Sequence, residues 1–319
     1  MNELRRSLIT VLACLLLCLL VLPALLVRGC RPAPVKKGGI SLTLYSRHAN
    51  RLVRLDLEEY LIGVLAAEVP ANFSPEALKA QAVAARTLTI RRLRRYGGRG
   101  CAHTARADLC DQPGDGQAWL AEEDLKKRWG WRFSGYYRRL QRAVEETRGL
   151  VLLHDRRPID AVYHSTCGGL TEDAAAVWGH QVPYLRSVSC GFDAISPRYR
   201  TRIRIPRETL ARRLGLDGAA LSSLRVLART AGGRVTSVSA GGRTWSGTEF
   251  RKAAGLRSTN FVCAVDGRDV VFTVRGNGHG VGLCQYGAEG MARRGAGFLQ
   301  ILRHYYSGVT LGRIAGYGK

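Results

Sequence analysis

Acidic residues are scarce in this chain. Among 319 residues, 25 Asp and Glu stand against 49 Lys and Arg, so the formal net charge is +24. A strongly basic balance first suggests a nucleic-acid-binding protein. The sequence contains no zinc finger of standard spacing, no RNP-type aromatic motif and no helix-turn-helix pattern. We therefore expect no nucleic-acid partner, and we expect the basic excess to contact a different polyanion.

Charge of either sign is absent from one long apolar run near the start. Ser7–Val27 carries no charged residue and is long enough to cross a bilayer as a helix. No small-x-small cleavage site of a signal peptide follows it. Arg28 occupies a position where a lipoprotein signal ending at Cys30 needs a small residue. The sequence thus predicts a single-pass cell-membrane protein, with an anchor and short cytoplasmic end over 1–30 and a linker over 31–39.

Internal repeats and low-complexity segments are also absent, and the rest of the chain mixes helix and strand patterns. Apolar and polar residues alternate over 40–44 and 51–57, which predicts a β-hairpin. Two helices follow, one ending near Val69 and one beginning after the N-cap Ser74 and ending at Gly97 and Gly98. Beyond residue 200, short strand-like runs alternate with glycine turns and small helices, one of them capped by Ser246. We predict an α+β fold with two lobes.

Glu68 stands at the joint of the predicted helix pair. It follows an apolar run, Leu61–Leu65, and precedes Pro70 by two positions. This places the carboxylate at the mouth of two helices rather than deep in a core. The alternative is a partly exposed glutamate that caps or salt-bridges the next helix, since most acidic residues lie at the surface.

The cysteines allow both disulfides and a metal. Cys101, His103 and Cys110 offer three zinc-type ligands within one loop. Their spacing matches no common finger, and a Cys101–Cys110 disulfide beside an ordinary histidine is the alternative. Cys14, Cys18 and Cys30 belong to the apolar run or its edge. The other cysteines are even in number, which permits disulfides: Cys101, Cys110, Cys167, Cys190, Cys263 and Cys284.

Two further motifs resemble known catalytic or phosphate-binding motifs but lack residues that those motifs need. His164 and Ser165 are adjacent on a predicted strand, so they point to opposite faces and make poor triad partners. No G-x-S-x-G nucleophile elbow surrounds Ser165. The glycine-rich stretch 275–282 lacks the Lys-Ser/Thr of a phosphate-binding loop. Its glycines more simply allow close backbone approach.

Three sequence blocks resemble the stage II sporulation protein D (SpoIID) family, which is related to the LytB amidase enhancers. They are GVLAAEVPANFSPEALKAQAVAARTLTIRR at 63–92, VYHSTCGGLTEDAAAVWGHQVP at 162–183 and RGNGHGVGLCQYG at 275–287. The resemblance implies a SpoIID-like domain over 40–315, with a helix-rich lobe over about 40–190, a mixed lobe over about 200–315 and a substrate cleft between them. It also implies that Glu68 is the catalytic acid of a peptidoglycan lytic transglycosylase.

The same resemblance implies binding roles for other residues. The expected sugar-binding residues are Gln81, Arg86, His164, Ser165, His279, Gln285 and Tyr286. A structural role for His279 is an equal alternative. Cys167 is expected to pair with Cys190 or Cys284, because the blocks would converge on one cleft.

A zinc ion is implied only by part of the family. Some members bind it in the loop that corresponds to 101–117, and His103 and Cys110 match two of their ligands approximately. Asp115-Gly116 stands where those members carry a His-Cys pair. Cys101 and Asp115 would complete a site for one structural zinc; the alternative is that no metal binds.

One carboxylate is enough for the implied reaction. The C6 hydroxyl of the sugar attacks its own anomeric carbon and gives a 1,6-anhydro end, so no second carboxylate has to activate water. The expected partners are glycan strands, an amidase or endopeptidase, a membrane scaffold of the engulfment machinery, and anionic wall polymers or lipids. Such a substrate requires the domain to face the wall. The alternative is a non-catalytic wall-binding protein that enhances an N-acetylmuramoyl-L-alanine amidase.

Overall fold

The structure is a computed structural model that describes residues 39–47, 50–111 and 116–314, together with a few single positions among the first 19. Within these residues no helix is both long enough and apolar enough to cross a membrane. This finding contradicts the predicted single-pass localisation. The predicted anchor, Ser7–Val27, falls almost entirely outside the described residues, as does most of the predicted linker.

The predicted hairpin and helix pair are confirmed. Strand β1 (Ser41–Ser46) pairs antiparallel with β2 (Arg51–Asp56), with Ser41 opposite Asp56. The Asp56 carboxylate then accepts a hydrogen bond from the Glu58 N–H at 2.9 Å, which begins helix α1 (Leu57–Glu68). Helix α2 (Pro75–Arg92) follows a short connector.

Helix α2 ends earlier than the sequence predicts. Its last helical residue is Arg92, because Leu93 adopts an extended conformation, with φ −66° and ψ 131°. The predicted terminator Gly97 has φ 83° and instead closes a short 3-10 turn over Arg94–Tyr96. Glycine with a left-handed conformation is favoured at the end of a helix, but here Gly97 ends the 3-10 turn and not helix α2.

The remaining elements alternate in type. Up to residue 199 they are β3 (Leu109–Cys110), α3 (Glu122–Trp129), α4 (Phe133–Glu146), β4 (Leu150–His154), β5 (Arg157–Pro158), β6 (Tyr163–His164) and α5 (Ala174–Trp178). They continue with β7 (Arg200–Pro206), α6 (Arg207–Leu214), β8 (Arg225–Arg229), β9 (Val235–Ala240), β10 (Arg243–Ser246), α7 (Gly247–Ala254), β11 (Phe261–Asp266), β12 (Asp269–Arg275), β13 (Leu283–Cys284), α8 (Gln285–Arg293), α9 (Phe298–Tyr305) and β14 (Thr310–Arg313).

The strands form small sheets rather than one large one. Their orders are β2-β1-β3, β14-β4-β5, β13-β6, β11-β12-β7 and β10-β9-β8. The β13-β6 pair is parallel, with Leu283 opposite Tyr163 and Cys284 opposite His164. This short pair joins the second and third sequence blocks directly. The observed mixture confirms the α+β class.

Two hydrophobic clusters hold these elements together. The first surrounds α2, whose alanines Ala80, Ala82 and Ala84 are completely buried. Small side chains let α4, α8, α9 and β4 all pack against α2. The second cluster lies within residues 205–274 and includes the rings of Phe250 and Phe261, whose centroids are 5.6 Å apart. The arrangement of two lobes about a substrate cleft remains a prediction.

Candidate active site

Glu68 is the last residue of α1 and its side chain is half-buried. The backbone N–H of Ala118 donates a hydrogen bond to Glu68 Oε1 at 3.0 Å. Burial raises the pKa of Glu68, because a charged carboxylate loses water there. The Ala118 N–H and the Gln285 side chain oppose this shift, since both favour the charged form. Burial and the two hydrogen-bond donors therefore act on the pKa of this carboxyl group in opposite directions, and burial has the larger effect.

A close backbone contact brings Ala118 to Glu68. The Leu120 N–H donates to the Gly63 carbonyl oxygen at 3.3 Å, so the segment 118–120 lies directly on α1. A Cβ atom at Gly63 would stand 2.6 Å from Leu120 O and would also overlap the Trp119 ring. Glycine within a helix costs stability, and here it permits the contact that positions the Ala118 donor.

Two tyrosines and a glutamine lie behind the carboxylate. Tyr163 donates its hydroxyl proton to Gln117 Oε1 at 2.7 Å, and Gln117 Nε2 donates to Thr89 Oγ1 at 2.8 Å. Burial raises the pKa of Tyr163 and of Tyr60, and the nearby charge of Glu68 adds to both shifts. Both phenols are consequently neutral. Sequence reasoning missed Tyr163 as a neighbour of Glu68, since no local pattern links residues so far apart.

The third sequence block meets the first at this carboxylate. Gln285, the first residue of α8, directs its amide towards Glu68, although its Nε2 has no normal hydrogen bond among the described residues. Tyr286 packs edge-on against Phe73 with ring centroids 5.1 Å apart. The Tyr286 N–H donates to Ser165 O at 3.0 Å. Gln285, Tyr286 and Ser165 are thus joined to the Glu68 region, and their role in sugar binding stays a prediction.

The two predicted histidines contact each other rather than the carboxylate. Their ring centroids are 5.5 Å apart. His279 accepts from the Val281 N–H at Nδ1, 3.1 Å, and donates from Nε2 to Tyr163 O, 3.0 Å. Both ring nitrogens are used, so His279 fits the structural alternative. Burial lowers the pKa of His279 to about 4 and that of His164 well below its ordinary value.

Gln81 and Arg86 are placed differently from each other. The Gln81 amide is buried, and neither of its polar atoms has a partner in the described part of the chain. Arg86 is fully buried; its Nη2 forms an ion pair with Glu58 at 2.6 Å, and its Nη1 donates to Leu150 O at 3.3 Å. This placement corrects the expectation of a sugar contact by Arg86, because no part of it reaches solvent. Arg86 stabilises the interior instead.

Comparison with known proteins identifies the family. A family model described as "SpoIID: Stage II sporulation protein" matches residues 45–154. The chain is 35% identical over 285 residues to stage II sporulation protein D of Bacillus amyloliquefaciens, covering 89% of this chain and 82% of the relative. The corresponding protein of Bacillus subtilis strain 168 is 36% identical over 280 residues, covering 87% and 80%. The chain belongs to the SpoIID family.

A further relative of this SpoIID-family chain carries a different name. The amidase enhancer of B. subtilis strain 168 is 28% identical over 309 residues, covering 79% of this chain and 40% of the relative. The resemblance of the chain to both the SpoIID proteins and the amidase enhancers is therefore confirmed.

The predicted zinc loop of this SpoIID-family chain is described only in part. Cys101 and Cys110 are buried and pack together with Ala107, whereas His103 is exposed. Asp115 lies outside the described residues. Within the described part, Cys101, His103 and Cys110 do not form a group of three converging ligands. Zinc at this loop remains a prediction.

Three other cysteines, which lie inside or beside the sequence blocks, do converge. Cys167, Cys190 and Cys284 are buried together with Asp193, and their ligand atoms all lie within 4.8 Å of one another. All three cysteines are thiols in the structure, so the expected disulfide from Cys167 to Cys190 or Cys284 is not formed, although both partners are adjacent. Asp193 was missed by sequence reasoning, because only cysteine pairing was considered for this part of the chain.

Proposed function

We propose that this chain is a peptidoglycan lytic transglycosylase that acts in wall remodelling during sporulation, with Glu68 as its catalytic acid and base. The observation that carries the proposal is the half-buried Glu68 carboxyl group, whose pKa is raised by burial. A raised pKa increases the protonated fraction of the group at a given pH, which favours a general acid. The family membership and the relatives' names support the connection to sporulation.

The reaction needs two proton transfers at one carboxyl group. Protonated Glu68 donates its proton to the glycosidic oxygen between N-acetylmuramic acid and N-acetylglucosamine, and the bond from that oxygen to the anomeric carbon breaks. The C6 hydroxyl oxygen of the muramic acid bonds to the same carbon. The Glu68 carboxylate then takes the C6 hydroxyl proton, which leaves a 1,6-anhydro end and restores the acid.

The surroundings of Glu68 suit both halves of this cycle. Burial favours the neutral acid that begins the reaction. The Ala118 N–H and the Gln285 amide favour the carboxylate that exists after the first transfer. Gln285, Tyr286 and Ser165 lie in the same region, and we assign them to the binding of the sugar. The proposed glycan groove, between the two predicted lobes, would pass this point.

A second candidate function follows from the amidase-enhancer relative. In that case the chain would bind wall glycan without cutting it and would increase the activity of a separate amidase. A binding protein has no need of a carboxyl group whose pKa is raised by burial, so we rank this function below the transglycosylase. An amidase partner is compatible with both functions.

Digestion of purified wall glycan tests the proposal. We expect the full chain to release products that are lighter by one water than the hydrolytic products, as read by mass spectrometry. Glu68→Gln removes the transferable proton with little change of shape, and we expect the rate to fall by roughly 10²–10⁴-fold. Intact glycan and glycan stripped of its peptides should both be offered as substrates.

Glu59→Gln is the matched control, because Glu59 is an exposed residue of the same helix. Glu58 is not suitable, because its carboxylate is the buried partner of Arg86. Unchanged anhydro products from folded Glu68→Gln protein would overturn the role of Glu68. If the native chain cuts neither substrate but increases cleavage by an added amidase, the enhancer function replaces the transglycosylase.

A further inference from the structure

A cluster of sulfur and oxygen atoms lies next to the Glu68 site but takes no part in the proposed reaction. Its members are Cys167, Cys190, Asp193 and Cys284, all buried. Asp193 Oδ2 is 3.1 Å from Cys167 Sγ and 3.7 Å from Cys284 Sγ. These four residues come from three separate stretches of chain, with Cys190 and Asp193 in the same one, so only the tertiary fold brings all of them together. We call this group the three-cysteine cluster.

The spacing of the cluster suits a tetrahedral ion. Zinc binds thiolate sulfur at about 2.3 Å and carboxylate oxygen at about 2.0–2.2 Å. A regular tetrahedron with these bonds has edges of roughly 3.5–3.8 Å. The ligand atoms here lie within 4.8 Å of one another, so small side-chain movements close the site.

The backbone around Cys284 is arranged to receive a negatively charged sulfur. Its Sγ accepts hydrogen bonds from the Cys167 N–H and from the Gly287 N–H, each at 3.3 Å. The second bond makes Cys284 the N-cap of α8, where a helix favours negative charge. A Cβ atom at Gly287 would lie 2.5 Å from Cys190 Sγ, so glycine there lets the helix close over the cluster.

Two further observations favour a cation at the cluster. Asp193 Oδ1 is buried and has no hydrogen-bond partner among the described residues, which is costly for a carboxylate oxygen. The buried Arg234 donates from Nη2 to Cys167 O at 3.2 Å, but its guanidinium is paired with Glu172, 3.7 Å away, so its charge does not serve Asp193. A divalent cation bound by the cluster would balance the Asp193 carboxylate and the thiolates that metal binding creates.

We propose that Cys167, Cys190, Cys284 and Asp193 form a structural zinc site, distinct from the loop around His103. On binding, the three thiols release their protons to solvent and coordinate as thiolates. Asp193 completes four ligands, so no position is left open for a catalytic water. The ion ties the Cys284–Gln285 step to the segment 165–167, which follows β6 and contains Ser165, and thereby fixes Gln285 beside Glu68.

Zinc content of the purified full chain is the first test. The background is the Cys101→Ser/Cys110→Ser variant, which removes the other candidate loop. We expect this protein to retain about one zinc per chain and to show three sulfur neighbours and one oxygen in zinc X-ray absorption. Cobalt substitution should give the visible bands of a tetrahedral site. Zinc with two or fewer sulfur neighbours, or no zinc at all, would overturn the proposal.

Variants at the cluster locate the ion. In the same background, Cys190→Ser or Asp193→Asn should lower the zinc retained after dialysis against a mild chelator at least tenfold. Cys263→Ser is the matched control, because Cys263 lies on β11 outside the cluster, and it should retain the metal. Retention by the cluster variants contradicts the assignment. If they fail to fold, the neighbour count in the parent protein still decides, and a disulfide found among Cys167, Cys190 and Cys284 by peptide mapping rejects the site.

Discussion

At the scale of single residues, Glu68 illustrates a conflict between stability and chemistry. Folding removes water from its carboxyl group, so the charged form is disfavoured in the folded state and the pKa rises above the ordinary 4.5. A raised folded pKa means that Glu68 contributes stability fully below its unfolded pKa. This contribution is lost as the pH rises through the folded pKa. Each unit of the shift corresponds to about 1.4 kcal/mol.

This linkage predicts a pH-dependent effect of Glu68→Gln on stability. Glutamine is neutral at every pH and does not lose the contribution. We expect the free energy of unfolding of the variant to exceed that of the native chain at neutral pH, with the difference shrinking towards pH 4. Urea denaturation across this range measures it. A difference that does not change with pH would show that burial does not shift the Glu68 pKa.

Residues outside local patterns were the hardest to assign from the sequence. Glu68 was assigned because its block carries the family resemblance. Arg86 was assigned to sugar binding, yet it forms an ion pair in the interior. The sequence of an alanine-rich helix does not show which of its sides other elements cover, so the burial of Arg86 could not be predicted. Gln117, Tyr163 and Asp193 reach their positions only through tertiary contacts. Sequence spacing contains no signal for such contacts.

At the scale of elements, local rules predicted well. The hairpin before α1 and the capping box at Ser246 follow from alternation and from side-chain caps, and both are observed. The end of α2 was placed wrongly because two glycines suggested a terminator, whereas the chain leaves the helix at Leu93. The contact between α1 and residues 118–120 was not foreseen. The contact is possible because Gly63 has no side chain, and hydrophobic periodicity does not indicate such a contact.

The Gly63 contact leads to a prediction about α1. In an isolated helix Gly63→Ala would be stabilising by roughly 1 kcal/mol. Here the added Cβ overlaps Leu120 O and Trp119, and overpacking of this kind costs about 1–3 kcal/mol. The segment 118–120 should move away from α1 and carry the Ala118 N–H away from Glu68. We therefore expect reduced cleavage of wall glycan, measured as release of anhydro products, with Glu68 intact.

Gly135→Ala is the control for this prediction. Gly135 also lies in a helix, α4, but a Cβ atom there would meet no atom within 4 Å among the described residues. We expect the control to keep its activity and to gain stability, by at most about 1 kcal/mol. Normal activity of Gly63→Ala would mean that the Ala118 hydrogen bond is not needed for the reaction.

At the scale of the whole molecule, hydrophobic packing determines the fold, whereas the net charge determines long-range attraction to partners. Two hydrophobic clusters and several small sheets establish the α+β class, and hydrophobic patterning was enough to predict it. The formal net charge of +24 has no bearing on the fold; it concerns long-range attraction to partners. Anionic wall polymers are the partners that we expect for a protein with the proposed function.

Binding through such charges predicts a strong dependence on salt. We expect sedimentation with walls that carry anionic polymers to weaken roughly tenfold or more when salt rises from about 50 to about 200 mM, because screening acts on many charge pairs together. Binding to a neutral glycan such as soluble chitin oligomers, measured by calorimetry, should change little, since Gln285, Tyr286 and Ser165 carry no net charge. Salt-independent binding to the anionic walls would show that the positive excess only keeps the chain soluble. The attraction would then have to be sought in specific sugar contacts near Glu68.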